Sequence, residues 1–260
     1  MEPVAALENR EEANRRRELA YLERPDNFLT DRQRRWLESP GGLGRVTRSL
    51  LYGINYLGVR LLFNLQTWGQ EHLPALGPYI IAPSHASSLD PFVLSAALGR
   101  RRMAQAVWAG RRGALLDNRL RRFVNRLAHA IPIRRNAKAL AVGAAALERG
   151  RILIWFPEGH RSGTGQLQPF RRGVGMLMDH FQVPAAPAYI SGAYEAMPRH
   201  ARLPHRLTQI TVAFGPPLDP TAFAHHENRE QRIAALVETL RERVVQLSRQ
   251  TIHTRDTGAS

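Results

Sequence analysis

The clearest indication of the fold of this chain is the run Pro78-Tyr79-Ile80-Ile81-Ala82-Pro83-Ser84-His85-Ala86-Ser87-Ser88-Leu89-Asp90-Pro91. Its apolar first part, residues 78–82, predicts a buried strand. Asp90 and Pro91 are typical of a helix N-cap followed by proline at the first helical position, so they predict a helix through Leu98. His85 then lies in the loop that leads from the strand to the helix.

On both sides of this run, short apolar stretches alternate with longer segments of helical periodicity. This alternation predicts an α/β fold with a mixed, mostly parallel central sheet flanked by helices. Further strands are predicted around residues 104–108, 131–133, 152–156, 185–190 and 209–214. Helices are predicted over residues 114–127, 137–148 and 173–181, and near the C-terminus, where apolar residues from Ile233 to Leu247 share one face.

Composition limits the classes of protein to which the chain could belong. Its 260 residues are 43% hydrophobic, enough for a sizeable core, and we expect one main domain. The absence of cysteine excludes disulfides, thiolate metal sites and a cysteine nucleophile. The formal net charge of +15 predicts a polyanionic partner. Anionic lipid, a phosphorylated substrate, an acidic carrier protein and nucleic acid all meet this description.

The N-terminal part of the chain divides into two segments. Residues 1–45 are polar and rich in charge, and predict an appendage with little core of its own. Residues 46–66 place apolar side chains at helical spacing between Arg48 and Arg60, which predicts an amphipathic helix. This helix either lies in a membrane interface or packs on the core, and it is too short to span a bilayer. The main domain is expected over residues 67–250, followed by a flexible tail at 251–260.

His85 and Asp90 are the first candidates for chemistry. Ligands of open α/β sheets bind at the carboxyl ends of strands, which is where the loop of His85 is predicted to lie. A neutral imidazole there could take a proton from an attacking hydroxyl, and a nearby carboxylate could fix its tautomer. Asp90 could instead be a plain helix cap and His85 an ordinary loop residue, and both alternatives stay open at this point.

A second candidate site follows the predicted strand at 152–156, in the run Phe156-Pro157-Glu158-Gly159-His160-Arg161-Ser162. Arg161 could bind a phosphate, and the Gly159 backbone could approach a ligand closely. A surface turn carrying a Glu-Arg pair is the alternative. A third run, Ile131-Pro132-Ile133-Arg134-Arg135, ends in two arginines and by itself favours a solvated basic end. The fourth, Val183-Pro184-Ala185-Ala186-Pro187, indicates the wall of a site.

Taken together and in this order, the four runs resemble the glycerolipid acyltransferase superfamily, which includes lysophosphatidic acid acyltransferase. The resemblance covers about residues 65–220. It implies transfer of an acyl group from acyl-CoA or acyl-carrier protein to a hydroxyl, with neither a metal nor another cofactor. The family often has Asn and Gln beside the histidine, where this chain has Ser84 and Ala86.

The resemblance also implies a role for each site residue. His85 would be the general base and Asp90 its orienting partner. Arg135, Glu158 and Arg161 would contact the phosphate and glycerol part of the acceptor, and Gly159 would donate its N–H to the oxyanion. Residues 67–250 would then form the acyltransferase domain.

From this we expect an enzyme that makes phosphatidic acid from lysophosphatidic acid at the cytoplasmic face of the inner membrane. Its partners would be an anionic membrane surface, the lysophospholipid and the acyl donor, and no nucleic acid. Two alternatives within the superfamily are acylation of glycerol 3-phosphate or another lyso-lipid, and a catalytically silent lipid-binding relative. A nucleic-acid-binding protein would also account for the charge, but the chain has no recognisable motif of that class.

Overall fold

The computed structural model describes residues 4–38, 41–111, 130–133, 138–198, 201, 204–205 and 207–257. Its described strands form a seven-stranded sheet in the order β1-β7-β6-β2-β5-β3-β4. The strands are β1 (Asn64–Trp68), β2 (Tyr79–Pro83), β3 (Ala106–Arg111), β4 (Ala130–Ile133), β5 (Ile152–Ile154), β6 (Ala185–Ser191) and β7 (Gln209–Phe214). The helices are α1 (Val4–Glu23), α2 (Asp31–Leu37), α3 (Gly42–Leu62), α4 (Asp90–Met103), α5 (Lys138–Glu148), α6 (Gly173–Phe181), α7 (Ala193–Ala196) and α8 (Arg229–Thr257).

The sheet is mixed and mostly parallel, which confirms the predicted fold class. Strands β6 and β7 pair antiparallel, and every other neighbouring pair among the described strands is parallel. Strand β2 is central: Ile81 is in register with Ile154 of β5 on one side and with Ala186 of β6 on the other. The loops that follow β2 and β5 therefore leave the same edge of the sheet side by side.

Strand β1 was not predicted, and the helix predicted over residues 46–66 ends at Leu62. Asn64 pairs in parallel with Gln209 of β7, at the outer edge of the sheet. Only one residue of β1 is fully buried, so the strand has neither a continuous apolar run nor a clear alternation. The helix predicted over 114–127 lies outside the described residues.

Alternating side chains of β2 enter two separate cores, as the pleat of a strand requires. Tyr79 and Ile81 pack with residues of α3 and α4 on one face. Ile80 and Ala82 pack with residues of α5, α6 and α8 on the other face. The sheet therefore has helices on both faces, and the loops lie at the ends of its strands.

The N-terminal segment, predicted as an appendage with little core of its own, contributes buried side chains to the main core. Its buried side chains belong to the same cluster as those of α5 and α8, and include Leu22, Leu29, Trp36 and Leu37. Arg149, just after α5, binds the Asp26 carboxylate at 2.8 Å. These apolar residues are scattered among many charged ones, so their contribution was hidden in the average composition of the segment.

Helix α3 packs on the domain with one face and exposes the other. The Asn55 side chain donates a hydrogen bond to the Phe92 carbonyl at 3.1 Å, and the Arg48 guanidinium donates to the Met103 carbonyl. Burial lowers the pKa of Arg48 to about 10, with nearby Arg151 contributing. The exposed apolar side chains are those of Leu43, Val46, Leu50, Ile54, Leu57 and Leu61. Among the described helices, none is long and apolar enough to cross a membrane.

Two helix ends are informative. Gly99 has φ +80° and ψ 158°, which interrupts α4 one residue after its predicted end at Leu98. Helix α8 continues to Thr257, so most of the segment predicted as a flexible tail is helical.

Candidate active site

The loop between β2 and α4 brings the side chains of His85 and Asp90 together. His85 Nδ1 lies 2.8 Å from Asp90 Oδ2. The Asp90 side chain is 1% exposed and the His85 side chain 18% exposed, so solvent reaches the imidazole but not the carboxylate. A carboxylate in this position holds the proton on Nδ1 and leaves Nε2 as the proton acceptor.

The Asp90 carboxylate also organises the loop that carries His85. Its Oδ2 accepts the backbone N–H groups of Ala86 and Ser87, each at 2.8 Å, and its Oδ1 is buried without a partner among the described residues. The N-cap position of α4 is Leu89, and Asp90 is the first helical residue. The prediction that Asp90 caps this helix is therefore wrong, because its carboxylate turns back to the donors of the loop.

The main chain of His85 is held from two sides by the second candidate run. The His85 N–H donates to Glu158 Oε1 at 2.6 Å, and the Ser162 N–H donates to the His85 carbonyl at 2.8 Å. The Phe156 ring lies beside the imidazole, with 4.2 Å between ring centroids. Sequence reasoning missed the role of Ser162, and the adjacency of the loops after β2 and β5 explains it.

Glu158 points into the protein. Its side chain is buried, and its Oε2 accepts the Gln168 N–H at 2.9 Å, so each carboxylate oxygen already accepts a backbone N–H. Burial raises the pKa of Glu158 to about 7, in spite of the two N–H donors, which favour the ionised form. Its predicted contact with the acceptor stays a prediction, and in this structure both of its oxygens face the loops around His85.

Gly159 lies in a tight turn under the Arg171 side chain. Its φ is +73°, and a side-chain carbon at this position would lie 2.7 Å from Arg171 Nε. The Gly159 N–H donates to the Phe156 carbonyl at 3.1 Å, and Arg171 Nε donates to the Glu158 carbonyl at 3.3 Å. The predicted oxyanion role of Gly159 is untested, and its N–H is engaged within the turn.

Of the two predicted phosphate-binding arginines, Arg161 lies within the described residues. Arg161 is half-buried, and it has no hydrogen bond or ion pair within the described part of the chain. Arg135 lies outside the described residues.

Ser84 replaces the family's frequent asparagine without leaving a gap in the hydrogen bonding. It is buried at the end of β2, and its Oγ accepts the Ile190 N–H at 3.0 Å, while its own N–H donates to the Ala188 carbonyl. It thereby ties the start of the loop of His85 to β6. The proline run at 183–187 forms the start of β6, and its described side chains are largely buried.

The same part of the chain matches known proteins. A family model described as Acyltransferase matches residues 64–191, the range that contains His85, Asp90, Glu158 and Arg161. The matched residues, 64–191, form a domain of this acyltransferase family. Over 156 residues it is 31% identical to the human protein 1-acyl-sn-glycerol-3-phosphate acyltransferase alpha, a match that covers 56% of this chain and 51% of the human protein.

Other members of the superfamily give similar matches. The Limnanthes alba protein 1-acyl-sn-glycerol-3-phosphate acyltransferase is 31% identical over 165 residues, covering 60% of this chain and 54% of that protein. The Bacillus subtilis protein of the same name is 24% identical over 194 residues, covering 70% and 87%. The chain thus spans about half the length of the human and plant relatives and most of the bacterial one.

A solved structure shares the fold. The crystal structure of the 1-acyl-sn-glycerophosphate (LPA) acyltransferase PlsC from Thermotoga maritima superimposes with a TM-score of 0.60 at 19% identity. The match covers 77% of this chain and 79% of that one. The sheet and its flanking helices therefore have the same fold as that structure.

Proposed function

We propose that this protein transfers a fatty acyl group from acyl-CoA or acyl-carrier protein to the hydroxyl of lysophosphatidic acid, giving phosphatidic acid. The observation that carries the proposal is the buried Asp90 carboxylate on Nδ1 of His85, which leaves Nε2 of the partly exposed imidazole without a partner among the described residues, in a chain with an acyltransferase domain. The names of the human, plant and Bacillus relatives support lysophosphatidic acid as the acceptor.

In the proposed reaction His85 acts directly on the acceptor. Its Nε2 takes the proton of the acceptor hydroxyl as the oxygen attacks the thioester carbonyl, and a C–O bond forms. The tetrahedral intermediate then collapses, the C–S bond breaks, and the imidazolium returns the proton to the departing sulfur. Asp90 stabilises the imidazolium in between, and base catalysis of this kind contributes roughly 10²- to 10⁴-fold.

Charge supports a phosphorylated acceptor. Arg161 lies three residues after Glu158, directly after the turn next to the loop of His85, and has no partner in the described part of the chain. A guanidinium can bind two phosphate oxygens at once, which fixes the acceptor's orientation as well as its affinity. By the resemblance Arg135 serves the same phosphate.

The membrane part of the proposal depends on α3. Its exposed apolar side chains form a stripe along a helix that is tied to α4, and the chain carries a net charge of +15. An amphipathic helix on a basic protein is suited to the interface of an anionic bilayer. The proposal places the enzyme on the cytoplasmic face of the inner membrane, because both acyl donors are cytoplasmic.

The test offers the purified protein several acceptors and both donors, and identifies the lipids formed by mass spectrometry. The acceptors are lysophosphatidic acid, glycerol 3-phosphate, lysophosphatidylethanolamine and monoacylglycerol. The proposal expects phosphatidic acid as the main product. A main product from another acceptor would contradict lysophosphatidic acid as the substrate. The absence of product from every acceptor would contradict the proposed activity.

A further inference from the structure

Leu207 combines two features that are unusual together. Its side chain is 81% exposed, although leucine is strongly apolar. Its backbone has φ +59°, in the left-handed region that favours glycine and asparagine. A residue that is both strained and exposed gains little from packing inside its own chain, so another surface is needed to explain the leucine.

The strained backbone of Leu207 is fixed by its neighbours at the junction of α3 and β1. The Leu207 N–H donates to the Leu62 carbonyl at 2.8 Å, and the Asn64 N–H donates to the Thr208 carbonyl at 3.2 Å. These main-chain bonds hold the conformation whichever side chain is present. They also place the exposed leucine at the C-terminal end of α3, where Leu61 is exposed.

The topology puts this end of α3 at the edge of the sheet where the loop of His85 emerges. Strand β1 runs parallel to β7, β7 is antiparallel to β6, and β6 is parallel to β2. The beginning of β1 is therefore at the same edge as the end of β2. Helix α4 begins at this edge as well, and Phe92 lies in its first turn. Phe92 is 54% exposed, and its carbonyl accepts a hydrogen bond from the Asn55 side chain of α3.

Exposed apolar side chains from three elements thus lie toward the edge that carries His85. They are Leu57 and Leu61 of α3, Phe92 of α4, and Leu207 before β7. The sequence around Leu207 is basic, with Arg199, Arg202 and Arg206, and the whole chain has a net charge of +15. Exposed apolar side chains on a chain of this net charge complement an anionic bilayer better than they complement a basic second copy of this chain.

We propose that Leu207 is a second membrane anchor, which works with α3 to bring the edge carrying His85 onto an anionic lipid surface. This inference rests on the proposed function, which already places α3 on a membrane. The strained leucine is then explained by the lipid, since its side chain leaves water only when the protein is bound.

The test compares matched variants in sedimentation with vesicles of phosphatidylcholine and a minor share of phosphatidylglycerol. Leu207→Asn removes the apolar side chain and relaxes the backbone, because asparagine tolerates positive φ. It should weaken vesicle binding roughly threefold to tenfold, as expected for partial burial of one leucine. Leu207→Met keeps an apolar side chain and should bind like the parent protein.

Two controls separate the anchor from other effects. Ile252 is an exposed apolar residue of α8, on the opposite face of the sheet, and Ile252→Asn should leave binding unchanged. Thermal unfolding of Leu207→Asn should occur at or above the temperature of the parent protein. The loss of binding should also persist at high salt, because screening weakens the arginines and not the apolar contact.

The outcomes distinguish this inference from the function on which it rests. Unchanged binding of Leu207→Asn, while Ile54→Asn on α3 weakens binding, would overturn the anchor and leave the membrane proposal intact. Unchanged binding in both variants would overturn both. A change in oligomeric mass of Leu207→Asn, with vesicle binding preserved, would show that the leucine covers a second copy and would also overturn the anchor.

Discussion

The backbone N–H of His85 lies 2.6 Å from Oε1 of Glu158, so a buried carboxylate holds the main chain of the proposed base. The two residues are distant in sequence, and the pairing of β2 with β5 brings them together. Asp90 orients the imidazole, and Glu158 with Ser162 fixes the backbone from which the imidazole projects. We infer that Glu158 is a positioning residue.

Substitution Glu158→Gln tests this role. A carboxamide puts an NH2 group in place of one of the two carboxylate oxygens, so either the His85 or the Gln168 N–H loses its present acceptor. Because small displacements of reacting groups are costly, kcat should fall at least about tenfold. The KM for lysophosphatidic acid should stay within about twofold if Glu158 does not touch the acceptor. Steady-state kinetics distinguishes this from the acceptor contact implied by the resemblance, which predicts a raised KM.

The raised pKa of Glu158 makes a prediction about stability. Since the folded protein holds this proton up to pH about 7, against 4.5 for an ordinary glutamate, the folded state binds more protons across that interval. The contribution of Glu158 to the free energy of unfolding is full below the ordinary pKa and is lost as the pH rises through about 7. The free energy of unfolding should be measured with denaturant for the parent protein and for Glu158→Gln. The difference between the two values should decline as the pH rises from 4.5 to about 7. Parallel pH profiles would contradict the assignment.

Arg161 should distinguish acceptors by their phosphate. Arg161→Ala should lower kcat/KM for lysophosphatidic acid about 10- to 100-fold, the value of a charge-assisted hydrogen bond. The rate with monoacylglycerol, which lacks the phosphate, should not change. Arg16→Ala, at an exposed position on α1, is the matched control and should leave both rates unchanged. An equal loss with both acceptors would mean that Arg161 has a structural role.

The N-terminal segment should contribute to the stability of the whole domain. Leu37 is fully buried in the cluster shared with α5, so Leu37→Ala should lower the free energy of unfolding by about 2–5 kcal/mol. Leu43→Ala removes a leucine that is mostly exposed on α3, and should change stability by less than about 0.5 kcal/mol. Chemical denaturation measures both. Equal, small effects of the two substitutions would mean that the N-terminal segment contributes little to the stability of the domain.

Patterns of apolar residues predicted much of this fold because the burial of a strand or helix is reflected in its own sequence. Strand β2 is a continuous apolar run, which marks a strand buried on both faces, and His85 follows it directly. Strand β1 escaped prediction because it lies at the edge of the sheet and buries few side chains. The Asp90 capping prediction failed because the carboxylate is shared among donors in the preceding loop, which the sequence pattern does not distinguish from a cap.

The site was predicted residue by residue but not as an arrangement. His85 and Glu158 were predicted separately as site residues, and the resemblance implied that Glu158 contacts the acceptor. Their hydrogen bond depends on the register between β2 and β5, a long-range feature with no local signal. The burial of Glu158 likewise follows from the turn that packs over it, in which Gln168 and Arg171 take part.

The most direct test of the central claim is the rate of acyl transfer to lysophosphatidic acid by His85→Ala, measured beside the parent protein with each acyl donor. Among the described residues the imidazole makes one side-chain hydrogen bond, in which Nδ1–H donates to Asp90 Oδ2, and the backbone bonds of His85 do not depend on its side chain, so the variant should fold and keep its circular dichroism spectrum. We predict that phosphatidic acid formation falls at least about 10²-fold, as expected for loss of a general base. A folded His85→Ala protein that forms phosphatidic acid at the parent rate would contradict the account.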